Sequence, residues 1–228
     1  MYDIVFISYY EPNAEENFND LFERFNKVTM FGDRIKRVKN VKGIHNAHVE
    51  AAKLVNTSYF FVVDGDAKIV DDFDFDYITD EEDVVHVYRS MNPINDLVYG
   101  YGGVKLFPTR LSRHMDTKTS DMTTSISKKF KALPQISNIT EFNTDPFSTW
   151  KSAFRECAKL SSKVIDRQKT GETDERLKTW TTVGHDRQYG KYALEGATAG
   201  MEFGLSRGSD LRLINDFEWL KEQFNGNT

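Results

Sequence analysis

Asp64 and Asp66 stand one residue apart at the end of a short apolar run, Tyr59–Val63. A run of this length, bounded by a turn signal, is typical of a strand buried on both faces of an α/β sheet. Ligands collect at the carboxyl ends of such strands, and Gly65 would let the backbone turn and approach a ligand closely. Because Mg²⁺ and Mn²⁺ prefer oxygen ligands, the spacing predicts a cation site, with a solvated Asp-Gly turn as the alternative.

The residues before this pair alternate between strand and helix patterns. Three strands are predicted, at Asp3–Ser8, Arg34–Val41 and Tyr59–Asp64. Two helices lie between them, the first marked by Phe18, Leu21, Phe22 and Phe25 at helical spacing and the second by Ile44, Ala47, Ala51, Leu54 and Val55. Asn13, with Glu16 three residues later, is expected to cap the first helix. This order predicts a Rossmann-like nucleotide-binding half.

Two common nucleotide-binding motifs are missing from the chain. No Gly-x-Gly-x-x-Gly follows the first strand, and no Gly-Lys-Ser/Thr loop is present. Dinucleotide enzymes and P-loop ATPases are therefore disfavoured. A nucleotide is instead expected at the strand ends, held by a metal and by the first loop, Tyr9–Asn13, which follows the first strand.

The second half continues the α/β pattern. Further elements are predicted at the strand Val84–Tyr88, the glycine-rich segment Tyr99–Pro108 leading into a strand, a helix carrying Phe147, Trp150 and Phe154 after the entry sequence Asn143–Pro146, a helix from Tyr189 to Gly200, and a last helix from about Asp210 to Phe224. The expected fold class is therefore α/β, a mixed and mostly parallel sheet flanked by helices. We expect one domain over 1–228, made of two halves at 1–100 and 101–228.

Composition narrows the compartment and the partners. The 228 residues carry a net charge of −5 and a single cysteine, Cys157. No apolar run approaches the roughly 20 residues of a membrane span, and the N-terminus lacks signal-peptide features. A cytoplasmic location without membrane contact is expected, in the host cytoplasm if the chain is viral.

Charge is uneven along the chain. Ten acidic residues lie between Asp64 and Asp83, and seven lysines and arginines lie between Gly102 and Lys131. Each block is either a solvated face or, for the basic block, a contact for a phosphate-bearing partner. The Ser/Thr-rich stretch Thr117–Ser127 predicts a mobile loop within the basic block.

These motifs resemble the metal-dependent glycosyltransferases of the A-type (GT-A) fold. The resemblance is carried by Val62-Val63-Asp64-Gly65-Asp66, by Ile7–Asn13, which is similar to the first strand and nucleotide loop of the large inverting family, and by Lys42–Ala47 before the second helix. Gly102–Phe107 and Thr144–Glu156 resemble a compact, largely viral branch associated with sugar transfer to hydroxymethylated bases in phage DNA, including glucosyl and arabinosyl transfer. The chain lacks the family's Glu-Asp pair on the acceptor side.

The resemblance implies a nucleotide-sugar-binding half at 1–100, an acceptor-binding half at 101–228, a reaction and a set of site residues. A sugar would move from a UDP-sugar to a hydroxyl, most simply that of 5-hydroxymethylcytosine in double-stranded DNA, while Mn²⁺ or Mg²⁺ neutralises the leaving diphosphate. The metal ligands would be Asp66, Asp64 and His185, with a helix cap or a surface position as the alternative for His185. The donor contacts would be Ser8, Tyr9, Glu11, Lys42, His45, Asn46, Asp64 and Gly65.

The acceptor side is predicted with alternatives. Asp145 is the first choice of catalytic base, against a helix-capping role, and Asp186 is the second. Acceptor contacts are expected at Gly102, Gly103, Lys105, Trp150 and Arg155, phosphate contacts also at Arg110 and Arg113, and base-stacking aromatics at Tyr99, Tyr101, Phe147 and Trp150.

Three functions remain open from the sequence. The first is a DNA-modifying glycosyltransferase, and the second is a transferase of the same fold acting on a glycan, lipid or protein. The third is a nucleotide-sugar-binding module without activity. A phosphatase of the haloacid-dehalogenase type is set aside, because its Asp-x-Asp would be followed by Thr near the first strand, whereas Ala67 follows here.

Overall fold

The chain forms an α/β fold with a mixed central sheet. A computed structural model describes residues 1–30, 32–100, 102–117, 122–163, 169–207 and 211–226. The strands are β1 Asp3–Ser8, β2 Val28–Thr29, β3 Gly32–Asp33, β4 Ile35–Lys39, β5 Tyr59–Asp64, β6 Ala67–Ile69, β7 Val84–Met91, β8 Val98–Tyr99, β9 Val104–Pro108 and β10 Lys129–Thr140. The helices are α1 Ala14–Phe25, α2 Ile44–Lys53, α3 Thr109–Arg113, α4 Met122–Ile126, α5 Pro146–Ser162, α6 Thr170–Thr182, α7 Gly190–Arg207 and α8 Phe217–Gly226, with a 3₁₀ turn at Arg212–Asn215.

The sheet order explains how the strand ends meet. Seven strands lie in the order β4-β1-β5-β9-β7-β10-β6, and β8 pairs with β7. Strands β4, β1, β5, β7 and β10 share one direction, whereas β9, β6 and β8 run the opposite way. The predicted mixed, mostly parallel sheet and the strand–helix order of the first 66 residues are confirmed.

Alternate residues of the buried strands contact opposite layers of helices. Phe61 and Val63 of β5 belong to the cluster that includes Leu21 of α1. Phe60 and Val62 belong to the cluster that includes Ala51 of α2. Because side chains alternate across a strand, the continuous apolar run of β5 supplies both clusters and places Asp64 where the buried strand ends.

The chain divides into two compact units. Unit 1 comprises residues 1–91 and 98–141, and unit 2 comprises residues 92–97 and 142–228. In unit 2, Gly196, Gly200 and Gly204 of α7 face the backbone of α5 closely enough that a Cβ atom at any of them would collide with α5. These small residues of α7 therefore permit close packing against α5. The prediction of one glycosyltransferase domain over 1–228 stays a prediction.

Several local expectations need correction. Asn13 occupies the N-cap position of α1, but its side chain makes no capping hydrogen bond, and its Nδ2 donates to the Glu141 carbonyl instead (3.1 Å). The last helix begins at Phe217 rather than near residue 210, because Asp216 Oδ1 accepts from the N–H groups of Glu218 and Trp219 and starts a new helix there. Asp210, Tyr101 and residues 118–121 of the predicted loop lie outside the described residues.

None of the described helices has the length and apolar character needed to cross a lipid bilayer.

Candidate functional site

Two parallel strands end together and bring the predicted acids next to the first loop. β1 and β5 are neighbours, with Ile7 opposite Asp64, so Ser8 and the loop after it lie beside Gly65. A Cβ atom on Gly65 would stand 2.6 Å from Glu11 Oε2 and 3.0 Å from the Ser8 Cβ. The Gly65 carbonyl accepts a hydrogen bond from Asn17 Nδ2 (3.2 Å). Gly65 is therefore required for close packing, and Glu11 lies directly against the Asp-Gly-Asp turn.

Asp64 is held by two donors from the start of β9. Its Oδ2 accepts from the Lys105 ammonium (2.7 Å) and from the Gly103 N–H (3.0 Å). Burial alone would raise the pKa of Asp64, but the Lys105 charge and these hydrogen bonds outweigh it and lower that pKa. Asp64 is therefore a fixed, ionised acceptor at neutral pH.

Asp66 has the opposite electrostatic environment. Burial first, then the negative charges of Asp64 and Glu11, raise the pKa of Asp66 to about 7. None of the ion pairs among the described residues involves the Asp66 carboxyl. The backbone is nevertheless fixed, because the Asp66 carbonyl accepts from the Glu141 N–H (2.7 Å). Asp66 thus has a positioned backbone and a carboxyl without an ion pair among the described residues, and the Lys105 charge only partly offsets the rise in its pKa.

The donor set suits a hard divalent cation, although the described residues contain no group of three or more His, Cys, Asp or Glu side chains arranged to hold one. Glu11, Asp64 and Asp66 supply carboxylate oxygens at one strand end, and a cation there would relieve the charge crowding that raises the pKa of Asp66. The buried Ser8 hydroxyl at the same strand end has no hydrogen-bond partner within the described chain. Asp66 is the residue best placed to hold such an ion.

The segment before α2 carries the remaining predicted donor contacts. Lys42 and Asn46 are exposed, His45 is buried, and Asn46 Nδ2 donates to the Lys42 carbonyl (3.2 Å). Gly43 adopts a positive φ of 91°, which favours glycine at this entrance. Tyr9 donates its N–H to Glu11 Oε2 (2.5 Å), which ties the first loop to the carboxyl cluster.

His48 of α2 is a buried neighbour of the site. Its Nδ1 lies 2.7 Å from the Ile44 carbonyl, so Nδ1 carries the proton and Nε2 is an acceptor, which is buried without a partner. Burial lowers the pKa of His48 to about 4, although the Asp64 charge opposes this shift. His48 is therefore neutral at pH 7 and packs against Phe107 with 5.8 Å between ring centroids.

The predicted catalytic and third metal residues belong to unit 2. Asp145 caps α5, because its Oδ1 accepts from the Ser148 N–H (2.9 Å). Burial tends to raise the pKa of Asp145, but the Ser148 and Thr144 hydrogen bonds outweigh it and lower that pKa. His185 and Asp186 are exposed in the turn before α7, where the Arg187 N–H donates to the Gly184 carbonyl.

The predicted acceptor contacts divide between the two units. In unit 1, Gly102 and Gly103 form the turn before β9, and Lys105 is bound to Asp64. In unit 2, Trp150 is 1% exposed and stacks on Phe154, so we assign it to the core. Arg155 donates to the Ile214 carbonyl (2.8 Å) and to Asn215 Oδ1 (3.0 Å), which gives it a structural role. Tyr99 is buried and Phe147 is partly buried.

The acidic and basic blocks contact each other. Arg110 pairs with Asp83 (3.0 Å), Lys131 with Glu81 (2.6 Å), and Lys129 Nζ donates to the Glu82 carbonyl. Arg113 donates to two backbone carbonyls, at Ala52 and Val55. These basic side chains therefore have partners within the chain, which favours the solvated-face interpretation over phosphate contact.

Three residues of the site environment were not anticipated from the sequence. They are Asn17, which holds the Gly65 carbonyl, and Asn138 and Glu141 at the end of β10. Their roles depend on contacts with residues more than 30 positions away in the sequence, so no local motif predicts them. The polar residues Ser137, Asn138 and Thr140 of β10 are the one available signal, and they mark Asn138 alone.

Sequence comparison adds no family, since neither a protein-family model nor a curated protein matches the chain. Solved structures with a similar fold include the mannosyltransferase PcManGT from Pyrobaculum calidifontis in complex with GDP-Man and Mn²⁺, at 10% identity, 99% coverage of this chain, 87% of that chain and a TM-score of 0.47. Residues 1–349 of S. aureus TarS match at 11% identity, 100% and 92% coverage and a TM-score of 0.40. HddC from Yersinia pseudotuberculosis matches at 15% identity, 59% and 69% coverage and a TM-score of 0.36. TM-scores below 0.5 do not establish a shared function, so we base the proposal that follows on the residues of this chain.

Proposed function

We propose that the protein is a metal-dependent glycosyltransferase that uses a nucleoside-diphosphate sugar. The observation that carries this proposal is the carboxyl of Asp66, which is crowded by Asp64 and Glu11 at the carboxyl ends of two parallel strands and forms no ion pair among the described residues. Nucleotide ligands bind at this end of open α/β sheets. A carboxyl cluster at such an end is suited to a cation that accompanies a diphosphate.

Each residue of the cluster then has a defined task. Asp66, with Asp64 and His185 as further candidate ligands, would hold Mn²⁺ or Mg²⁺, and the bound ion would neutralise the charge that develops on the leaving diphosphate. Asp64, fixed by Lys105 and Gly103, offers an oriented acceptor to the ribose or the ion. Gly65 has no side chain, so a ligand could approach the backbone of this turn closely. The proposed donor surface is formed by Ser8, Tyr9, Glu11, Lys42, His45 and Asn46.

Proton removal from the acceptor hydroxyl needs a base, and two aspartates of unit 2 are proposed for it. Asp145 already accepts hydrogen bonds at the entrance of α5, and its lowered pKa makes it a weak base until the capping bonds are released. Asp186 is exposed. Comparison of Asp145→Asn with Asp186→Asn distinguishes them, since the variant that lacks the base loses turnover while it still binds donor.

The acceptor that we propose first is 5-hydroxymethylcytosine in double-stranded DNA, which receives a glucosyl or arabinosyl group from a UDP-sugar. Support comes from the resemblance of Gly102–Phe107 and Thr144–Glu156 to the viral branch. A glycan, lipid or protein acceptor is the second candidate, and one observation favours it: Lys105, Arg110 and Arg113 are engaged within the chain rather than facing a polyanion.

One assay tests donor, metal and acceptor together. Purified protein is incubated with a panel of nucleotide sugars and with hydroxymethylated or unmodified DNA, in the presence of Mn²⁺, Mg²⁺ or EDTA. The DNA is then digested to nucleosides, and their masses are measured by mass spectrometry. We expect a hexose or pentose mass on hydroxymethylcytosine only with metal. Asp66→Asn should abolish transfer, and the exposed Asp72→Asn should not.

The other outcomes discriminate between the alternatives. Donor hydrolysis without DNA modification would support a different acceptor, and transfer to a neutral glycan would be insensitive to salt, unlike transfer to DNA. Metal-dependent donor binding without hydrolysis or transfer would indicate a binding module. A chain that neither binds nor cleaves any nucleotide sugar would contradict the proposal.

A further inference from the structure

The end of β10 and the residue that follows it contact the backbone at Asp66. Thr140 pairs with Ala67, the residue immediately after Asp66, and the Glu141 N–H donates to the Asp66 carbonyl at 2.7 Å. The Glu141 carbonyl in turn accepts from Asn13 Nδ2 of the first loop (3.1 Å). Asp66 is therefore held from a strand that lies more than 70 residues further along the chain.

Asn138, two residues earlier on β10, is fully buried in a hydrogen-bonded polar network. Its Nδ2 donates to Thr140 Oγ1 (3.0 Å), and its Oδ1 accepts from the Ser137 hydroxyl (2.8 Å). The Thr140 hydroxyl also bonds to the Ser90 hydroxyl of β7 (2.6 Å). Because every one of these groups has a partner, the plane of the Asn138 amide is held in place.

The Asn138 amide lies against Gly103. Gly103 has a φ of +86°, and a Cβ atom at this position would collide with the Asn138 side-chain amide. The Gly103 N–H donates to Asp64 Oδ2 (3.0 Å), and the Gly103 carbonyl accepts from the Asp64 N–H (3.1 Å). The two peptide groups on either side of the Gly103 Cα therefore help to fix Asp64, one at its carboxylate beside the Lys105 ammonium and the other at its backbone N–H.

We propose that the end of β10, Asn138–Glu141, is the positioning element of the acidic pair, and that Asn138 is a positioning residue that sets the Asp64 carboxylate through Gly103. The Glu141 N–H fixes the backbone of Asp66, so one strand end determines the separation of the two carboxyl groups. This inference rests on the proposed function for its consequence in metal binding, whereas the Asn138–Gly103–Asp64 contact chain exists without it.

The test measures the contact chain and metal binding separately. In Asn138→Ala, hydrogen exchange of the Gly103 amide, followed by NMR, should become at least about tenfold faster, because the peptide is no longer held against Asp64. Affinity for Mn²⁺ alone, measured from the free-ion EPR signal, should fall about tenfold or more, as is typical when residues behind metal ligands are lost. Thr140→Val, which keeps the side-chain shape but removes the hydroxyl that Asn138 uses, provides a second variant if Asn138→Ala does not fold.

A matched control separates positioning from general loss of stability. Thr109→Val also removes one buried hydrogen bond, from Thr109 Oγ1 to the Thr57 carbonyl (2.7 Å), at the opposite end of the β5–β9 pair. It should leave Gly103 exchange and Mn²⁺ affinity unchanged within twofold. If a folded Asn138→Ala or Thr140→Val behaves like Thr109→Val in both measurements, the inference is overturned.

The two proposals can fail independently. If the wild-type protein binds no Mn²⁺, the metal site of the proposed function fails, and the Gly103 exchange rate alone decides the positioning role. If wild type binds Mn²⁺ and Asn138→Ala binds it equally well while Gly103 exchange is unchanged, the metal site stands and Asn138 has no positioning role.

Discussion

At the scale of single residues, Asp64 and Asp66 show how neighbouring groups shift the pKa values of two identical side chains in opposite directions. Asp64 has a lysine and a backbone donor, whereas Asp66 has two carboxylates nearby. Sequence spacing predicts both acids at the strand end but not this difference. The difference depends on the antiparallel register that brings Lys105 opposite Val62, and no local pattern encodes that register.

Asp66→Asn should stabilise the metal-free protein while removing its response to Mn²⁺. The pKa of Asp66 is raised, so the folded chain retains a proton that the unfolded chain loses between about pH 4 and pH 7, and stability falls as pH rises through this window. Removing the charge should add about 1–3 kcal/mol to the free energy of unfolding at pH 7.5. Urea unfolding with and without Mn²⁺ measures both effects, and an unchanged or lower stability would contradict the predicted charge crowding.

His48 provides a pH prediction of the opposite sign. Its pKa is lowered to about 4, so below pH 6.5 the unfolded chain binds a proton that the folded chain excludes, and stability falls as pH decreases. Between pH 6.5 and pH 4 this costs roughly 3 kcal/mol. His48→Gln should flatten that part of the urea-unfolding pH profile, whereas His114→Gln, at an exposed histidine, should leave it like wild type.

At the scale of elements, β1, α1, α2 and β5 were predictable because their apolar patterns are strong, whereas the two-residue strands β2 and β3 were not predicted. The apolar run of β5 and the helical stripe of α1 each allow one structural interpretation. β10 was missed because much of its length is exposed and its apolar residues do not alternate regularly. α6 was missed because its buried residues are Thr173 and Trp180, which do not form an apolar stripe at helical spacing. β10 is fixed by its pairing with β7 and β6, which lie far earlier in the chain, whereas α6 is fixed by packing against the neighbouring helices α5 and α7.

The α5–α7 packing yields a paired glycine prediction. Gly200→Ala places a methyl group on the Phe154 carbonyl of α5, so α7 must shift, at an expected cost of about 1–3 kcal/mol. Gly171→Ala in α6 meets no atom within 4 Å and should stabilise by about 0.5–1 kcal/mol through helix propensity. Thermal unfolding of the two variants should therefore shift in opposite directions, and equal shifts would contradict the close helix contact.

At the scale of the whole molecule, the acidic and basic segments of the sequence form ion pairs with each other. The acidic segment pairs with the basic segment at Arg110–Asp83 and Lys131–Glu81, so separate blocks in the sequence become a mixed surface in the fold. Sequence reasoning left both interpretations open because pairing depends on tertiary proximity. A net charge of −5 gives the surface as a whole no attraction for polyanions.

Arg110→Gln tests this interpretation directly. Since the guanidinium is exposed and paired with Asp83, its loss should change the free energy of unfolding by less than about 1 kcal/mol. If DNA is the acceptor, the salt dependence of DNA binding should also be unchanged, because the Arg110 guanidinium is engaged by Asp83. A weaker salt dependence in the variant, measured by fluorescence anisotropy, would assign Arg110 to DNA after all.

Neither unit is a continuous stretch of chain, and this affects synthesis. Residues 92–97 emerge from the ribosome long before the residues that they contact, such as Gly184, which lies against Ile94, and Arg187, which pairs with Asp96 (2.8 Å). All residues of unit 1 have been synthesised once residue 141 is added, whereas the residues that contact segment 92–97 have not. A gene shortened after codon 141 would leave Ile94 exposed to water, and expression of the second unit from codon 142 would lack the segment that completes it.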